Sequence, residues 1–234
     1  GIKLPVQPAS IRSWHCAREF ERTETDVLVI WNRTAKTRFV VDAMGEERCI
    51  HWEHGSAWFP GREAERRHYL RRIPLAIVNS HAAARVLELK WGYSGEIRVC
   101  LNALRPSLTP STPVQKKFPS NRAIRLGVAA RLMPVKGIAV VLHSVAMLRR
   151  ESIDVELHIA GAGVEQERLL TLAQDLGVES LTRFHGSVKD MAQFYRSIDC
   201  LLHPPLTEAF GLVSIEAAAF GCPAIVAGVD GLPE

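Results

Sequence analysis

Glu208-Ala-Phe-Gly-Leu-Val-Ser-Ile-Glu216, continued by Ala217-Ala-Ala-Phe-Gly-Cys-Pro-Ala-Ile-Val-Ala227, is the stretch on which the reading of this chain turns. It carries two acids eight positions apart, with a glycine turn between them. The first acid falls in a loop after the apolar run Cys200-Leu-Leu-His203, and the second falls inside a small-residue helix. A carboxylate among alanines is costly to bury unless it is hydrogen-bonded, and a ribose diol would supply the partners. Phe210, Gly211 and Leu212 would present unpaired N–H groups at the positive end of a helix dipole, where an anion is favoured. Gly211 has no Cβ to hold a phosphate away from the backbone. The competing reading is a surface acid followed by a core helix with one satisfied glutamate.

Upstream, apolar runs alternate with helical patterns. Strands are expected over 124–129, 156–160, 181–185, 200–203 and 224–227, with helices over 138–150, 165–176, 191–196 and 212–220. Such alternation implies a parallel, doubly wound sheet. Ligands bind such sheets at the carboxyl ends of the strands. The turns after residues 129, 160 and 203 share that edge, which gathers Arg131, Gly163 and Glu208. Arg131 can fork onto two phosphate oxygens, and Lys136 supplies a point charge. Cations beside a leaving diphosphate act most strongly where charge grows. The Gly161-Ala-Gly163 turn could begin a dinucleotide fingerprint, but that needs a third glycine and position 166 is Gln.

Residues 103–121 hold Pro106, Pro110, Pro113 and Pro119 and read as a linker. The expected organisation is therefore a partial domain over 1–102, a linker over 103–121 and a second partial domain over 122–234. In the first part, strands fit 26–31, 48–51, 75–79 and 97–101, and helices fit 34–44, 63–73 and 82–91.

Composition narrows the function classes. The chain has 234 residues, 47% hydrophobic and 23% charged, which suits one large or two small globular domains. No apolar run approaches the ~20 residues of a membrane span, and the start does not read as a secretory signal. Five scattered cysteines suit a reducing, cytoplasmic setting. In that setting the sequon Asn32-Arg33-Thr34 carries little meaning. Residues 1–121 carry 19 Lys and Arg against 12 Asp and Glu, whereas 122–234 carry 10 against 13. The basic stretch from Arg62 to Arg72 suits either a solvated face or peripheral contact with the inner face of an anionic membrane. No nucleic-acid module is visible. His51 and His54 lie three apart around Glu53, which is weak evidence for a metal, and no metal is expected.

The Glu208–Glu216 segment resembles the Glu-x7-Glu signature of retaining glycosyltransferases of the GT-B fold, in the family-4, or group 1, class. Gly221-Cys222-Pro223 and Gly231-Leu232-Pro233-Glu234 extend the likeness. Ala130-Arg131-Leu132-Met133-Pro134-Val135-Lys136-Gly137 resembles the family's phosphate turn. Leu157-His158-Ile159-Ala160-Gly161-Ala162-Gly163 resembles its second strand and glycine turn, and Arg183-Phe184-His185-Gly186-Ser187-Val188 its base-binding strand. The likeness runs over roughly 26–234. It implies two Rossmann-like domains whose parallel sheets face each other across a cleft. Both domains are expected to be incomplete here, as if the chain were truncated at both ends.

The resemblance also implies roles. A nucleotide-diphosphate sugar is the donor, with no separate cofactor. Its diphosphate would lie on Arg131, Lys136 and the N–H groups of Phe210, Gly211 and Leu212, beside the Gly163 turn. Glu216 would hold the ribose, Glu208 the sugar, and the backbone near Val188 the base. His54, followed by Gly55, matches a histidine that reaches toward the donor sugar from the first domain, and His51 is its alternative. Asn102 matches an asparagine turn that here departs to Asn-Ala-Leu-Arg. The expected activity is transfer, with retention, to a glycan, lipid-linked or lipopolysaccharide-precursor acceptor. The rivals are a non-catalytic nucleotide-sugar-binding paralogue and a GT-B-type epimerase. Homo-oligomerisation stays open.

Overall fold

A computed structural model of the chain describes residues 9–31, 37–59, 61, 63–112, 114, 116 and 118–234. The sequon at 32–34, the start of the helix expected at 34 and Pro113 lie outside the described residues. The chain divides into two compact units, Gly1–Leu101 with Glu234, and Asn102–Pro233.

The first unit is a four-stranded parallel sheet. Its strands are β1 (Leu28–Ile30), β2 (Cys49–Glu53), β3 (Leu75–Val78) and β4 (Glu96–Val99), side by side in chain order. Parallel neighbours need a crossover between them. Helices α2 (Thr37–Met44), α3 (Glu63–Arg72) and α4 (His81–Arg85) supply these crossovers, after a first helix α1 (Ala9–Arg22). Ser80 starts α4 by accepting the N–H of Ala83 at 3.0 Å, an N-cap of the expected kind. Val41, Leu70, Ile73, Val78, Leu87 and Trp91 form the core. The helix expected over 82–91 divides, with a wider π turn at Val86–Lys90 following α4. Helix α1 was not expected. It is polar on average yet amphipathic, and it rests beside α2 with Phe20 against the core.

The second unit has five parallel strands: β5 (Ile124–Ala129), β6 (Val155–Ala160), β7 (Thr182–Gly186), β8 (Cys200–His203) and β9 (Ala224–Val226). Their spatial order is β7-β6-β5-β8-β9. Helices α5 (Ile138–Arg150), α6 (Gln166–Asp175), α7 (Met191–Ser197) and α8 (Leu212–Ala219) alternate with them as read from the sequence, to within a residue or two at each end. Central strand β5 is buried from Leu126 onward, which is why it reads as a continuous apolar run. Leu142, Leu157, Ile159 and Leu169 fill one core cluster. Tyr195, Ile198, Leu201, Ala217 and Phe220 fill another. The chain moves outward from β5 to β7, then returns to β8 on the other side of β5. In doubly wound sheets ligands bind at such a reversal, which here falls at the carboxyl ends of β5 and β8.

The stretch expected as a linker is not a free connector. It groups with the second unit. Leu108 is buried beside Phe194 and Phe220. The Lys116 ammonium donates to the Tyr195 carbonyl at 2.5 Å and to that of Ile198, closing the end of α7. Prolines keep this segment out of a helix, but they do not stop single side chains from docking.

Candidate active site at the carboxyl edge of the second sheet

Two loops build the site. The first leaves β5, passes a short turn at Pro134–Lys136 and enters α5. The second leaves β8 and enters α8. They are fastened together by the Leu206 N–H, which donates to the Val135 carbonyl at 2.8 Å. Gly137 makes this approach feasible. It sits at φ 68°, and a Cβ there would lie 1.9 Å from the Pro204 carbonyl oxygen. Gly163 does similar work one strand over, where a Cβ would lie 2.4 Å from the Leu132 carbonyl oxygen. The Leu132 N–H donates to Ala162 and the Glu165 N–H to Leu132, both at 3.0 Å. The Gly163 turn therefore buttresses the Arg131–Lys136 turn from beneath.

Fastening the loops brings Lys136 to Glu208. The ammonium lies 2.6 Å from Glu208 Oε2, and each side chain is 18% exposed. The His203 ring, at the end of β8, lies 3.3 Å from the same oxygen but off the line of a good hydrogen bond. Burial pushes the Glu208 carboxyl up. His203 and Lys136 outweigh it and bring the pKa down to about 2, so Glu208 is a carboxylate at neutral pH.

The backbone of Glu208 is held from a third side. Its N–H donates to Asp230 Oδ2 at 3.0 Å, and its carbonyl accepts from the Gly231 N–H at 3.1 Å. Thr207 shares the same Asp230 oxygen. Asp230 stands at φ 46°, a left-handed conformation that asparagine and aspartate tolerate best. This clamp was not read from the sequence.

Gly211 is the N-cap of α8 at φ 84°, and no side chain caps that helix. The Ser214 N–H turns back to the Gly211 carbonyl at 2.9 Å, whereas those of Leu212 and of Phe210, one residue ahead of the cap, have no acceptor within the helix. A Cβ on Gly211 would meet Leu232 Cδ2 at 2.2 Å and lie 3.7 Å from Glu208 Cγ, so the glycine lets the Glu208 loop and the Leu232 turn close on each other. Inside α8, Glu216 is 8% exposed. The Tyr195 hydroxyl donates to its Oε2 at 2.7 Å, and the Arg105 guanidinium lies 3.9 Å from its Oε1. The protein thus supplies a partner that the sequence reading left to a ligand. Arg131 is exposed, and its guanidinium makes no ion pair or hydrogen bond among the described residues.

The family profile described as Glycosyl transferases group 1 matches residues 112–234, more than half of the chain. The chain belongs to that family. Among curated group 1 relatives, the D-inositol 3-phosphate glycosyltransferase of Saccharomonospora viridis is 34% identical over 147 residues, which are 58% of this chain and 34% of the relative. The enzyme of that name from Streptomyces bingchenggensis is 39% identical over 116 residues, 45% of this chain and 26% of its own. The chain thus spans about a third of the length of the curated relatives it matches. A solved glycosyltransferase from Rickettsia africae superposes with a TM-score of 0.79 at 16% identity, over 99% of this chain and 66% of that one. Anabaena HepE in complex with UDP superposes with a TM-score of 0.73 at 20% identity, over 92% and 64%. At such identities the likeness concerns the fold, which is that of GT-B glycosyltransferases.

Within this group 1 chain the predicted site residues separate into sets. Lys136, Glu208 and Gly211 are brought together, with the Gly163 turn behind them. Glu216 lies one helical turn into α8, and Arg131 shares a loop with Lys136. Val188 follows β7 on the same sheet edge and packs against the Phe194–Tyr195 cluster. His54 belongs to the first unit. Its ring stacks on Trp31 at 3.8 Å and on Trp52 at 5.3 Å. Burial lowers its pKa against the opposing pull of Glu53, and its Nε2 finds no hydrogen-bond partner among the described residues.

The alternative, His51, lies in the core of the first unit. It is 3% exposed, 3.3 Å from Glu53 Oε2 and 3.2 Å from the Tyr69 hydroxyl. Glu53 Oε1 in turn accepts the N–H groups of Gly55 at 2.6 Å and Ala57 at 3.1 Å, which shapes the His54 loop. Among the described residues no group of three or more acids, histidines and cysteines could hold a metal, and no helix is long and apolar enough to cross a membrane. Part of the basic stretch is engaged internally. Arg66 lies over the Trp91 ring at 4.3 Å, Arg67 donates to the Lys90 carbonyl, and Arg72 pairs with Asp42 and Glu46.

Proposed function

We propose that this chain carries the nucleotide-sugar site of a retaining glycosyltransferase. The diphosphate of the donor rests on Lys136, Arg131 and the N–H groups of Phe210, Gly211 and Leu212. Glu216 accepts hydrogen bonds from the ribose hydroxyls. Glu208 faces the sugar and offsets positive charge developing at the anomeric carbon. The backbone at Val188 and Lys189 meets the base. Retention follows from same-face attack assisted by the leaving phosphate. The observation that carries the reading is the Lys136–Glu208 pair at 2.6 Å beside an uncapped helix start. A cation beside a preorganised dipole supports the reading, since such groups act most strongly where a leaving diphosphate gains charge. UDP is bound by the Anabaena neighbour, so UDP-sugars are the first donors to try.

The acceptor is a glycan or a lipid-linked precursor, and the enzyme works in the cytoplasm. Contact of α3 with an anionic membrane remains part of the proposal. Charge reversal at Arg71, with liposome binding unchanged, would remove it.

The test uses the protein that carries this chain, a panel of nucleotide sugars and the variants Lys136→Ala and Glu216→Ala. Each variant is expected to lose roughly tenfold to a hundredfold in kcat/KM, the scale of one charge-assisted contact. Unchanged turnover in both rejects the site. Donor binding without transfer points to a non-catalytic paralogue, and interconversion of donors without an acceptor to an epimerase.

A further inference from the structure

We propose that Tyr195 is a positioning residue. Its phenol holds Oε2 of Glu216 and leaves Oε1 to accept hydrogen bonds from the vicinal hydroxyls of a nucleotide ribose. The inference rests on the reading of Glu216 given above.

Glu216 sits on α8 and Tyr195 on α7, 21 positions apart in sequence and joined by a 2.7 Å hydrogen bond. Nothing in the local pattern of either helix announces this pair. Tyr195 is fully buried. Its ring lies nearly parallel to Phe220 at 6.2 Å and edge-on to Phe194 at 5.9 Å. Below the ring, the carbonyl of the same residue is tied to the Lys116 ammonium. Backbone and ring are therefore both fixed, and the hydroxyl has one place to point.

The chemistry of the pair is asymmetric. Burial, followed by the hydrogen bond to Glu216, raises the phenol's pKa. The hydroxyl thus remains a donor across the working range of pH. A neutral donor stabilises a carboxylate without cancelling its charge, which an arginine or lysine in the same place would do. Arg105 is 3.9 Å from Oε1, beyond hydrogen-bond reach, and its side chain is largely exposed. One oxygen is thus occupied from the interior, while the other faces the exposed guanidinium with its acceptor sites open.

A glutamate on a helix has several rotatable bonds, and fixing them on binding costs entropy. The Tyr195 bond meets that cost during folding, so the diol encounters an oriented acceptor. The gain applies only to ligands that bear the hydroxyls. Tyr195 therefore governs the preference for ribose over deoxyribose, and not general affinity for the diphosphate.

Binding of the uridine, guanosine and adenosine diphosphates, each as the ribose and the 2′,3′-dideoxy form, is measured by calorimetry on the protein that carries this chain. The wild type is expected to favour the ribose form of its preferred base by tenfold or more. Absence of that preference overturns the assignment of Glu216 itself. With the preference present, Tyr195→Phe is expected to shrink it about threefold to tenfold, the scale of one hydrogen bond. Binding of the dideoxy form should be nearly unchanged. Equal weakening of both forms makes Tyr195 merely structural and overturns the proposal. In a Glu216→Ala background, Tyr195→Phe should have no further effect on the preference, and a persisting effect also overturns it. Should Tyr195→Phe not fold, replacement of Tyr195 by 3-fluorotyrosine keeps the ring and a stronger donor at the same place. It is expected to change binding of the ribose form alone, and an equal change in the two forms again overturns the proposal.

Discussion

Lys136 Nζ and Glu208 Oε2 stand 2.6 Å apart where the loops after β5 and β8 meet. The cation assigned to the phosphate and the acid assigned to the sugar are thus partners of each other. Without ligand each neutralises the other's desolvation, since an unpaired charge at that depth would be unfavourable. When an anionic donor arrives, the ammonium has three N–H groups to share and need not leave the acid. On the proposed reading the pair would couple the two ends of the sugar–phosphate bond. In a double-mutant cycle on kcat/KM, Lys136→Met and Glu208→Gln should therefore be non-additive by about 1 kcal/mol or more. Additive losses would show that the two act separately.

The lowered pKa of Glu208 has a consequence for acid stability. Its carboxyl titrates near 4.5 when unperturbed and at about 2 here. The folded state thus binds its proton less readily than the unfolded chain does. The stabilisation is fully present above pH 4.5 and is lost as pH falls toward about 2. Its size is on the order of 3 kcal/mol. Urea unfolding of wild type and Glu208→Gln between pH 7 and pH 2.5 should converge at the acid end. A constant gap across that range contradicts the coupling.

Gly137 is the point at which the two site loops touch. An alanine there must hold φ near 68° and place its Cβ 1.9 Å from the Pro204 carbonyl oxygen. The left-handed conformation alone costs roughly 1–2 kcal/mol, and the contact adds to it. Gly137→Ala should lower the urea midpoint by an amount equivalent to about 2 kcal/mol or more, and activity should fall with it as the Lys136–Glu208 distance opens. A variant of wild-type stability would show that the loops can separate freely.

Asp230 offers a comparison of strain with function. It bonds Thr207 and the Glu208 N–H from φ 46°. Asp230→Gly removes the bonds but relaxes the backbone. Asp230→Ala removes the bonds and keeps the strain. The alanine variant should be less stable than the glycine variant by about 1 kcal/mol, whereas both should lose turnover because Glu208 is no longer clamped. Full activity in the glycine variant would show that the clamp does not matter to the site.

The second unit was legible to within a residue or two because its central strands are buried and its longer helices amphipathic. Pattern and packing agree there, as at Ile124–Ala129 and Ile138–Arg150. Helix α1 lies ahead of the first strand read, and its docking against α2 is a tertiary contact that spacing alone does not announce. The stretch after Asn102 reads as a linker because prolines mark what a chain avoids and say nothing of where Leu108 and Lys116 dock.

The site divides along the same line. Glu208, Glu216, Lys136 and Gly211 could be named from local spacing, because a strand–turn–helix unit fixes its own loop and helix start. Their partners could not. Tyr195 for Glu216, Asp230 for the Glu208 N–H, and the direct pairing of Lys136 with Glu208 all join elements far apart in sequence. Sequence alone determined the fold class, the sheet edge proposed for the donor and the residue types placed there. Tertiary structure decided which acid meets which cation and which hydroxyl orients which carboxylate. Hydrogen bonds and ion pairs act over about 3 Å, and only the folded arrangement of separate strands and helices brings distant residues within that reach.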